Sequence, residues 1–197
     1  MTVGNETIVR TFQPSCVTTK TGRLLVFCQG RLAEGADNQP KVIMINSSRD
    51  YGETWEGARI ISGSMNHFAL SAWSTPTDEG EGVSILVCVG LKVTAEVYEG
   101  DRERMRVETG IDIDEVGTDT ASVLMRFDSH DDGETWTPTC LTGDDTPLYH
   151  RVDGYTPVFL NAIGQVHRIE SGPYRGRLII AGPIYGVPDS EALTSNF

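Results

Sequence analysis

One eight-residue pattern, Ser-x-Asp-x-Gly-x-Thr-Trp, occurs twice in this chain, at residues 48–55 and 129–136. Each copy follows a run typical of a β-strand, residues 42–45 in the first case and 123–125 in the second. Because the same residue types recur at the same spacing, we predict that the chain repeats one structural unit. The specified positions are Ser48, Asp50, Gly52, Thr54 and Trp55 in the first copy and Ser129, Asp131, Gly133, Thr135 and Trp136 in the second.

The pattern itself predicts a tight hairpin. Ser and Asp side chains hydrogen-bond to nearby backbone N–H groups, and Gly supplies a position with φ > 0. Thr can add a local hydroxyl bond, and Trp anchors the turn against apolar neighbours. A hairpin that recurs in this way indicates a repeat architecture such as a solenoid or a propeller.

The distance between the two copies favours an all-β propeller. They lie 81 residues apart, and a four-stranded propeller blade takes about 40–45 residues. We therefore expect one blade between them and roughly three to four blades in residues 1–197, which we treat as one partial domain. So few blades leave an exposed edge. The sequence is accordingly interpreted as the N-terminal portion of a longer chain or an incomplete reading frame, and we expect poor solubility or association through the last blade.

Short apolar runs bounded by turn residues support the β interpretation. These runs lie at residues 24–27, 42–45, 83–89, 122–127, 156–160 and 177–181. A second internal similarity relates residues 22–26 (Gly-Arg-Leu-Leu-Val) to residues 176–180 (Gly-Arg-Leu-Ile-Ile). No segment shows a sustained helical period. The charge-rich region 93–120 is predicted to be a strand or two plus a long solvated loop rather than a binding surface.

Charge and composition exclude several classes of partner. The net charge of −12 argues against nucleic acid and anionic membranes, which both require a basic face. A few converging arginines could still make a positive pocket for a small anion. The segment after Met1 lacks the apolar run of an export signal, and no stretch approaches the ~20 apolar residues of a membrane span.

No metal or organic cofactor is expected. The four cysteines have no CxxC spacing and the four histidines have no metal-ligand spacing. Cys28 and Cys88 lie inside apolar runs, where a buried free thiol is the expected state. The cysteines are Cys16, Cys28, Cys88 and Cys140, and the histidines are His67, His130, His150 and His167.

The repeated pattern resembles the Asp box of sialidases (neuraminidases) and related proteins with bacterial neuraminidase repeats. The resemblance continues upstream of the first box, through residues 13–15 (Gln-Pro-Ser), 22–27 (Gly-Arg-Leu-Leu-Val-Phe), 30–31 (Gly-Arg) and Asp37. This order is similar to the opening blade of exo-α-sialidases, whose catalytic domain is a six-bladed β-propeller. The resemblance covers most of this chain and about the N-terminal half of that domain. It implies release of terminal sialic acid from sialylated glycans by a retaining mechanism.

The same resemblance suggests roles for three residues. Asp37 matches the family's acid/base aspartate; otherwise it is an ordinary turn residue. Arg31 matches an arginine of the substrate pocket; otherwise it ends its strand in a surface ion pair. The first carboxylate-binding arginine of the family falls on Phe12, so either a short bulge lets Arg10 serve or the ligand is missing. An aspartate with a raised pKa can donate a proton, and a guanidinium can bind a carboxylate through two parallel hydrogen bonds.

Several parts of the family site have no match in the sequence. The second pocket aspartate is absent near residues 71–76, and the nucleophilic tyrosine, its glutamate partner and the other two arginines belong to the C-terminal half of the family domain. The boxes are assigned a structural role, since they also occur in non-enzymatic propellers. A non-catalytic propeller that binds carbohydrate or protein is therefore the alternative function.

Overall fold

The structure is a computed structural model that describes residues 1–35, 38–77, 80–116, 122–141, 155–160, 166–179 and 184–188. Within them the chain is mostly β-sheet. The strands are β1 (Thr2–Val3), β2 (Glu6–Thr7), β3 (Arg10–Thr18), β4 (Leu24–Arg31), β5 (Lys41–Ser48), β6 (Arg59–Ile60), β7 (Asn66–Thr77), β8 (Gly80–Gly90), β9 (Ser122–Ser129), β10 (Thr137–Cys140), β11 (Tyr155–Leu160), β12 (His167–Arg168), β13 (Leu178–Ile179) and β14 (Ile184–Pro188). The helices are α1 (Leu91–Val97), α2 (Arg102–Thr109) and α3 (Ile113–Val116).

Two four-stranded antiparallel sheets form the centre of the structure. The first has the order β3-β4-β5-β6, and the second has the order β7-β8-β9-β10. In both sheets each strand pairs with its neighbour in sequence, because short connections favour hairpins between consecutive antiparallel strands. Each sheet is thus one meander, and the second repeats the first.

The two sheets share one apolar core. Leu25, Phe27 and Ile43 of the first sheet are 0% exposed, as is Ile85 of the second, and all belong to the same buried cluster. The first strands of the two sheets, β3 and β7, also lie against each other. Burial of these aliphatic and aromatic side chains is the main force that holds the sheets together.

A third layer covers the other face of the second sheet. Val166, just before β12, packs with Trp73, Leu86 and Leu124 in a separate buried cluster. Strand β11 pairs with β14, and β12 pairs with β13, so two strand pairs follow the second sheet in the chain. The described residues therefore stack in the order of the sequence, as successive units of a repeat do.

The box hairpins lie at equivalent places in the two sheets. Residues 48–55 follow β5 and precede β6, and residues 129–136 follow β9 and precede β10. The boxes thus belong to consecutive sheets, and the expectation of a whole blade between them was wrong. The extra length comes from residues 91–116, which form the three helices inserted between β8 and β9.

These helices also correct the prediction of strands and a loop for residues 93–120. Asp101 caps α2 by accepting a hydrogen bond from the Arg104 N–H at 3.1 Å, and Gly110 ends the helix with φ of 70°. Met105 and Ile111 are buried against the sheets. Helices of seven, eight and four residues are too short to display a clear 3.6-residue period, which explains the error. Residues 117–120 lie outside the described residues.

The remaining expectations for the fold have mixed outcomes. The all-β class is confirmed, with the helical insertion as an addition. Cys88 is buried and forms no disulfide, as expected, while Cys28 is half-buried and burial raises its pKa. Among the described residues, no helix has the length and apolar character needed to cross a membrane.

Replacing Phe27 by Ala should lower the free energy of unfolding by about 3–5 kcal/mol, since it empties a fully buried site in the shared core. The Phe27 ring is 0% exposed and meets the Trp136 ring edge-on at 5.5 Å between centroids. Urea unfolding monitored by circular dichroism measures the effect. The control is Val107→Ala, whose side chain is exposed and whose loss should cost about 0.5 kcal/mol or less. Equal effects of the two substitutions would contradict the shared core.

Candidate functional site

The first box forms the hydrogen-bonded hairpin that its sequence predicts. The Ser48 hydroxyl accepts from the Gly52 N–H at 2.8 Å and donates to the Asp50 carboxylate at 2.7 Å. The same carboxylate accepts from the Thr54 N–H at 2.8 Å and from the Thr54 hydroxyl. Gly52 has φ of 92°, a region that glycine occupies without strain.

The second box repeats this geometry closely. The Ser129 hydroxyl accepts from the Gly133 N–H at 2.9 Å and donates to Asp131 at 2.9 Å, and Asp131 accepts from the Thr135 N–H at 2.8 Å. Gly133 has φ of 85°. In addition, the Trp136 indole N–H donates to the Gly133 carbonyl at 3.1 Å. The predicted structural role therefore agrees with the local hydrogen bonds at the Ser, Asp, Gly and Thr positions. Trp136 also packs on Phe27, but Trp55 is 43% exposed and does not anchor its turn as predicted.

The box aspartates are poor candidates for acid/base chemistry. Hydrogen bonds from the Thr54 hydroxyl and N–H, and then from Ser48, lower the pKa of Asp50 to about 2. Partial burial raises the pKa of Asp131, but the hydrogen bonds from Thr135 and Ser129 outweigh it and lower that pKa overall. A carboxylate that several donors hold in its charged form carries no proton to donate near neutral pH.

The second box docks on the first sheet through Arg23. The Arg23 side chain is 2% exposed and donates to the Asp132 carbonyl at 2.8 Å and to the Glu134 carboxylate at 2.6 Å. Its other nitrogen donates to the Ser47 hydroxyl at 2.9 Å and to Glu56. One buried guanidinium thus joins both box regions. This contact was not predicted, because the sequence singled out Arg23 only within the similarity between residues 22–26 and 176–180.

Further cations of the first sheet contact the same hairpin. Arg49 lies 3.2 Å from the Glu134 carboxylate, and Arg59 donates to the Glu134 carbonyl at 2.8 Å. The Thr21 hydroxyl donates to the Asp132 carboxylate at 2.9 Å. Asp132 and Glu134, at positions that the box pattern leaves unspecified, therefore make most of the polar contacts with the first sheet, and Arg59 also donates to the Gly133 carbonyl.

The sequence-predicted arginines lie at the opposite end of the first sheet. Arg31 at the end of β4 pairs with Arg10 on β3 and with Lys41 on β5, all in direct register. Ser48, the start of the first box, pairs instead with Leu24 at the other end of β4. An eight-residue strand spans about 23 Å, so the boxes and the arginines belong to different ends of the sheet.

Arg31 is buried and held in place. Its side chain donates to the Gly35 carbonyl at 2.8 Å, and its guanidinium carbon lies 4.9 Å from the centre of the Phe12 ring. Phe12 stands at the position where the resemblance places an arginine, so in this chain an aromatic ring supports Arg31 through a cation–π contact. Arg31 is 5% exposed.

Arg10 is exposed and lies 3.6 Å from Glu34 in a surface ion pair. Strand β3 has a register shift between Phe12 and Ser15, and Gln13 there has φ of 53°. This irregularity is a bulge of the kind predicted, as one of two alternatives, to let Arg10 serve in place of Phe12. Asp37, the predicted acid/base residue, lies outside the described residues, between the described ends at residues 35 and 38.

A buried polar group beside this arginine pair was not predicted. The Lys41 ammonium donates to the Asn66 side-chain oxygen at 2.5 Å, and it lies 5.9 Å from the Phe12 ring centre. His67 is 1% exposed, and neither of its ring nitrogens has a hydrogen-bond partner among the described residues. Burial, and then the Lys41 charge, lower the pKa of His67 to about 3. No local motif marks this group, because sheet packing assembles it from β3, β5 and β7.

The structure also contains a tyrosine–glutamate contact, which is not the family's nucleophile pair. The Tyr98 hydroxyl donates to the Glu108 carboxylate at 3.1 Å. Burial, and then the Glu108 charge, raise the pKa of Tyr98. A phenol that loses its proton less readily is a weaker nucleophile, so the contact serves to tie α1 to α2.

No protein-family model matches the chain. Among the described residues, no three His, Cys, Asp or Glu side chains lie close enough together to share a metal ion. A buried, oriented guanidinium such as that of Arg31, together with its cationic neighbours, can bind a carboxylate of a small ligand.

Arg23→Ala should destabilise the protein by about 2–4 kcal/mol, because it removes the buried cation that joins Glu56 and Glu134 and leaves these carboxylates only their contacts with more exposed arginines. Glu56 and Glu134 are 40% and 51% exposed, so water recovers part of the lost interaction. Arg49→Ala is the matched control, since Arg49 is 56% exposed and exposed pairs are worth about 0–1 kcal/mol. Denaturant unfolding of both variants measures the difference, and an Arg23→Ala variant as stable as Arg49→Ala would show that the network does not hold the sheets.

The stability of the protein should fall in acid as Glu56 becomes protonated. Hydrogen bonds from Ser47, then from Arg23, lower the pKa of Glu56 to about 2 from an ordinary value of 4.5. A carboxyl whose pKa is lower in the folded state stabilises the fold above its unfolded pKa, and this contribution is lost as the pH falls toward the folded pKa. The urea midpoint should therefore decrease from about pH 4.5 to about pH 2.

Glu56→Gln should reduce this acid dependence, of which Asp50 supplies a further part because its pKa is also lowered to about 2. Glu53→Gln, a change at an exposed box position, should leave the dependence intact. Measuring urea midpoints across this acid range for the wild type and both variants provides the check. The network assignment would be wrong if Glu56→Gln and the wild type lost stability in parallel.

Proposed function

We propose that this chain forms consecutive blades of a β-propeller similar to that of exo-α-sialidases, and that the protein releases terminal sialic acid from sialylated glycans. The support is the resemblance of its two boxes and opening segment, together with the two consecutive four-stranded meanders that share one core. Stacked meanders of this kind are the building unit of propellers. In the family the blades number six, and this chain would supply the first of them.

The observation that carries the proposal is the register of Arg10 and Arg31. The two guanidinium-bearing residues lie side by side on neighbouring strands, at the end of the sheet away from the boxes. The loop that contains Asp37 connects this same end of β4 to β5. This end of the sheet therefore carries cations that could bind the carboxylate of a sugar acid. Asp37, the residue proposed for proton transfer, follows Arg31 by six positions in the sequence.

In the proposed reaction Arg31 binds the substrate carboxylate and holds the sugar in place. Its contacts with the Gly35 carbonyl and the Phe12 ring fix the guanidinium before the substrate arrives, which reduces the entropy lost on binding. Asp37 protonates the leaving glycosidic oxygen and later removes a proton from the attacking water. No metal or organic cofactor takes part in these steps.

The resemblance implies a tyrosine nucleophile in place of the usual carboxylate. The anomeric carbon of sialic acid bears a carboxylate group, and a neutral phenol activated by glutamate approaches it without like-charge repulsion. Nothing in residues 1–197 matches that tyrosine, its glutamate or the second and third arginines.

The alternative is a non-catalytic propeller that binds carbohydrate or protein. Phe12 at the family's arginine position favours it, because the chain then has one fewer cation for the substrate carboxylate. The exposed ion pair of Arg10 with Glu34 favours it as well, since Arg10 would have to leave this partner to reach a ligand.

Asp37→Asn should lower kcat on an aryl sialoside by about 10²–10⁴-fold in the full-length protein, because the amide cannot donate the proton. The control is Glu34→Gln, a change at an exposed carboxylate of the same loop, which should retain most of the activity. Fluorescence of the released aryl alcohol measures turnover, and unfolding midpoints verify that both variants fold. Unchanged turnover in Asp37→Asn would remove this residue from its role.

Arg31→Lys should weaken binding of a sialylated trisaccharide by about tenfold, since lysine cannot form two parallel hydrogen bonds with the carboxylate. Calorimetry on the Asp37→Asn background separates binding from turnover. Binding that depends on Arg31 without any turnover by the wild type would favour the binding module, and binding indifferent to Arg31 would contradict both functions at this site.

A further inference from the structure

A cleft of about 400 Å³ lies between the outer edges of the two main sheets. Its walls are β6 with the residues that follow it, helix α2, and strand β10. Strands β6 and β10 are the last strands of their sheets. The layer that follows in the chain covers the other face of the second sheet, at Val166. Small-molecule sites have volumes of about 300–1,000 Å³, so the cleft suits a small ligand.

One side of the cleft is apolar and held in place. The Trp136 indole N–H donates to the Gly133 carbonyl at 3.1 Å, and the ring meets the Phe27 ring edge-on. Pro138 lines the cleft beside it, and Val107 lines it from α2. Val107 is 63% exposed. The cleft therefore offers apolar surface that a ligand can cover.

The polar groups of the cleft are also fixed, and they keep capacity for further hydrogen bonds. Glu108 accepts from the Tyr98 hydroxyl at 3.1 Å and from Arg104 at 2.9 Å, which uses two of the roughly four acceptor positions of a carboxylate. The Ser62 hydroxyl accepts from the Ile43 N–H at 2.9 Å, and its own O–H donates to no group among the described residues. Acceptors and a donor therefore lie beside the apolar wall.

The charged groups of the cleft are already paired with one another or with neighbours. Arg59 lies 3.7 Å from the Glu134 carboxylate, and Glu108 lies 2.9 Å from Arg104. Because these charges nearly cancel, the cleft has no net attraction for an anion or for a cation. A neutral sugar fits this combination, since its hydroxyls donate and accept hydrogen bonds and its C–H groups can pack on an aromatic ring.

We propose that this cleft binds a neutral hexose unit of a glycan. Trp136 packs against the C–H groups of the sugar ring, while Glu108 and Ser62 bind its hydroxyls. The inference is independent of the proposed catalytic activity. Arg10 and Arg31 lie on β3 and β4, whereas the cleft lies at the β6 edge of the same sheet.

NMR titration of the 197-residue chain with the methyl glycosides of galactose, glucose and mannose tests the proposal. The assigned indole N–H signal of Trp136 should shift on addition of at least one of these sugars, while the signal of Trp55 in the first box should not. We expect a dissociation constant in the millimolar range, because a monosaccharide makes few contacts. Glucosamine and glucuronate, a cation and an anion of similar size, should produce smaller shifts at equal concentration.

Substitutions on α2 locate the binding. Glu108→Ala should raise the dissociation constant by about tenfold, since the sugar loses a charged acceptor. Glu103→Ala is the matched control: Glu103 also pairs with an arginine of α2, Arg106 at 2.7 Å, but does not line the cleft. Val107→Trp, a change at an exposed position, should fill the cleft and abolish the shift of Trp136. Unfolding midpoints close to the wild type verify that each variant is folded.

Three results would overturn the proposal. If none of the three neutral sugars shifts the Trp136 signal, the cleft is not a hexose site. A larger shift with glucosamine or glucuronate would assign the cleft to a charged ligand. Equal effects of Glu108→Ala and Glu103→Ala on the dissociation constant would place the bound sugar elsewhere on the protein.

Discussion

The docking of the second box hairpin on the buried guanidinium of Arg23 determines how the two main sheets are arranged. A cation that is 2% exposed is stable only where acceptors surround it, and here they come from both box regions. Apolar packing alone would tolerate small rotations or slips of one sheet on the other, because the hydrophobic effect has no preferred direction. The charged contact sets the orientation, and the shared core then packs around Leu25 and Phe27.

This arrangement gives each sheet two ends with different tasks. At one end, Asp50 and Asp131 hold the two box hairpins in shape through local hydrogen bonds. At the same end, the second box binds Arg23 of the first sheet. The opposite end of the first sheet has no box and carries Arg10, Arg31 and Lys41 in register. The helices inserted after β8 begin at this second end, where the Thr94 hydroxyl accepts from the Asn66 N–H at 3.1 Å. Variable loops on a rigid frame are a common location for binding and catalysis.

Sequence reasoning succeeded where the signal is local. The hairpins could be predicted because Ser, Asp, Gly and Thr at fixed spacing satisfy one another within eight residues. Most strands could be predicted from apolar runs such as residues 83–89. The helices could not, since α1 and α2 take their stability from burial of residues such as Met105 and Ile111 on the sheets rather than from a visible period. The same insertion lengthens the sequence between the boxes to 81 residues, and this is why the expectation of a whole blade between them was wrong.

Some features of the candidate site likewise follow from local sequence, and others depend on the tertiary structure. The sequence alone determined the box geometry, the β class of the chain and the presence of arginines near a strand start and a strand end. Only the tertiary structure decided that Arg10 and Arg31 lie side by side, that Phe12 supports Arg31, and that Lys41, Asn66 and His67 form a buried group beside them. It also decided that Arg23 binds Glu134, which is 111 residues away in the chain. Such contacts depend on register and on sheet packing, and these are settled by the burial of many side chains together rather than by any one local motif.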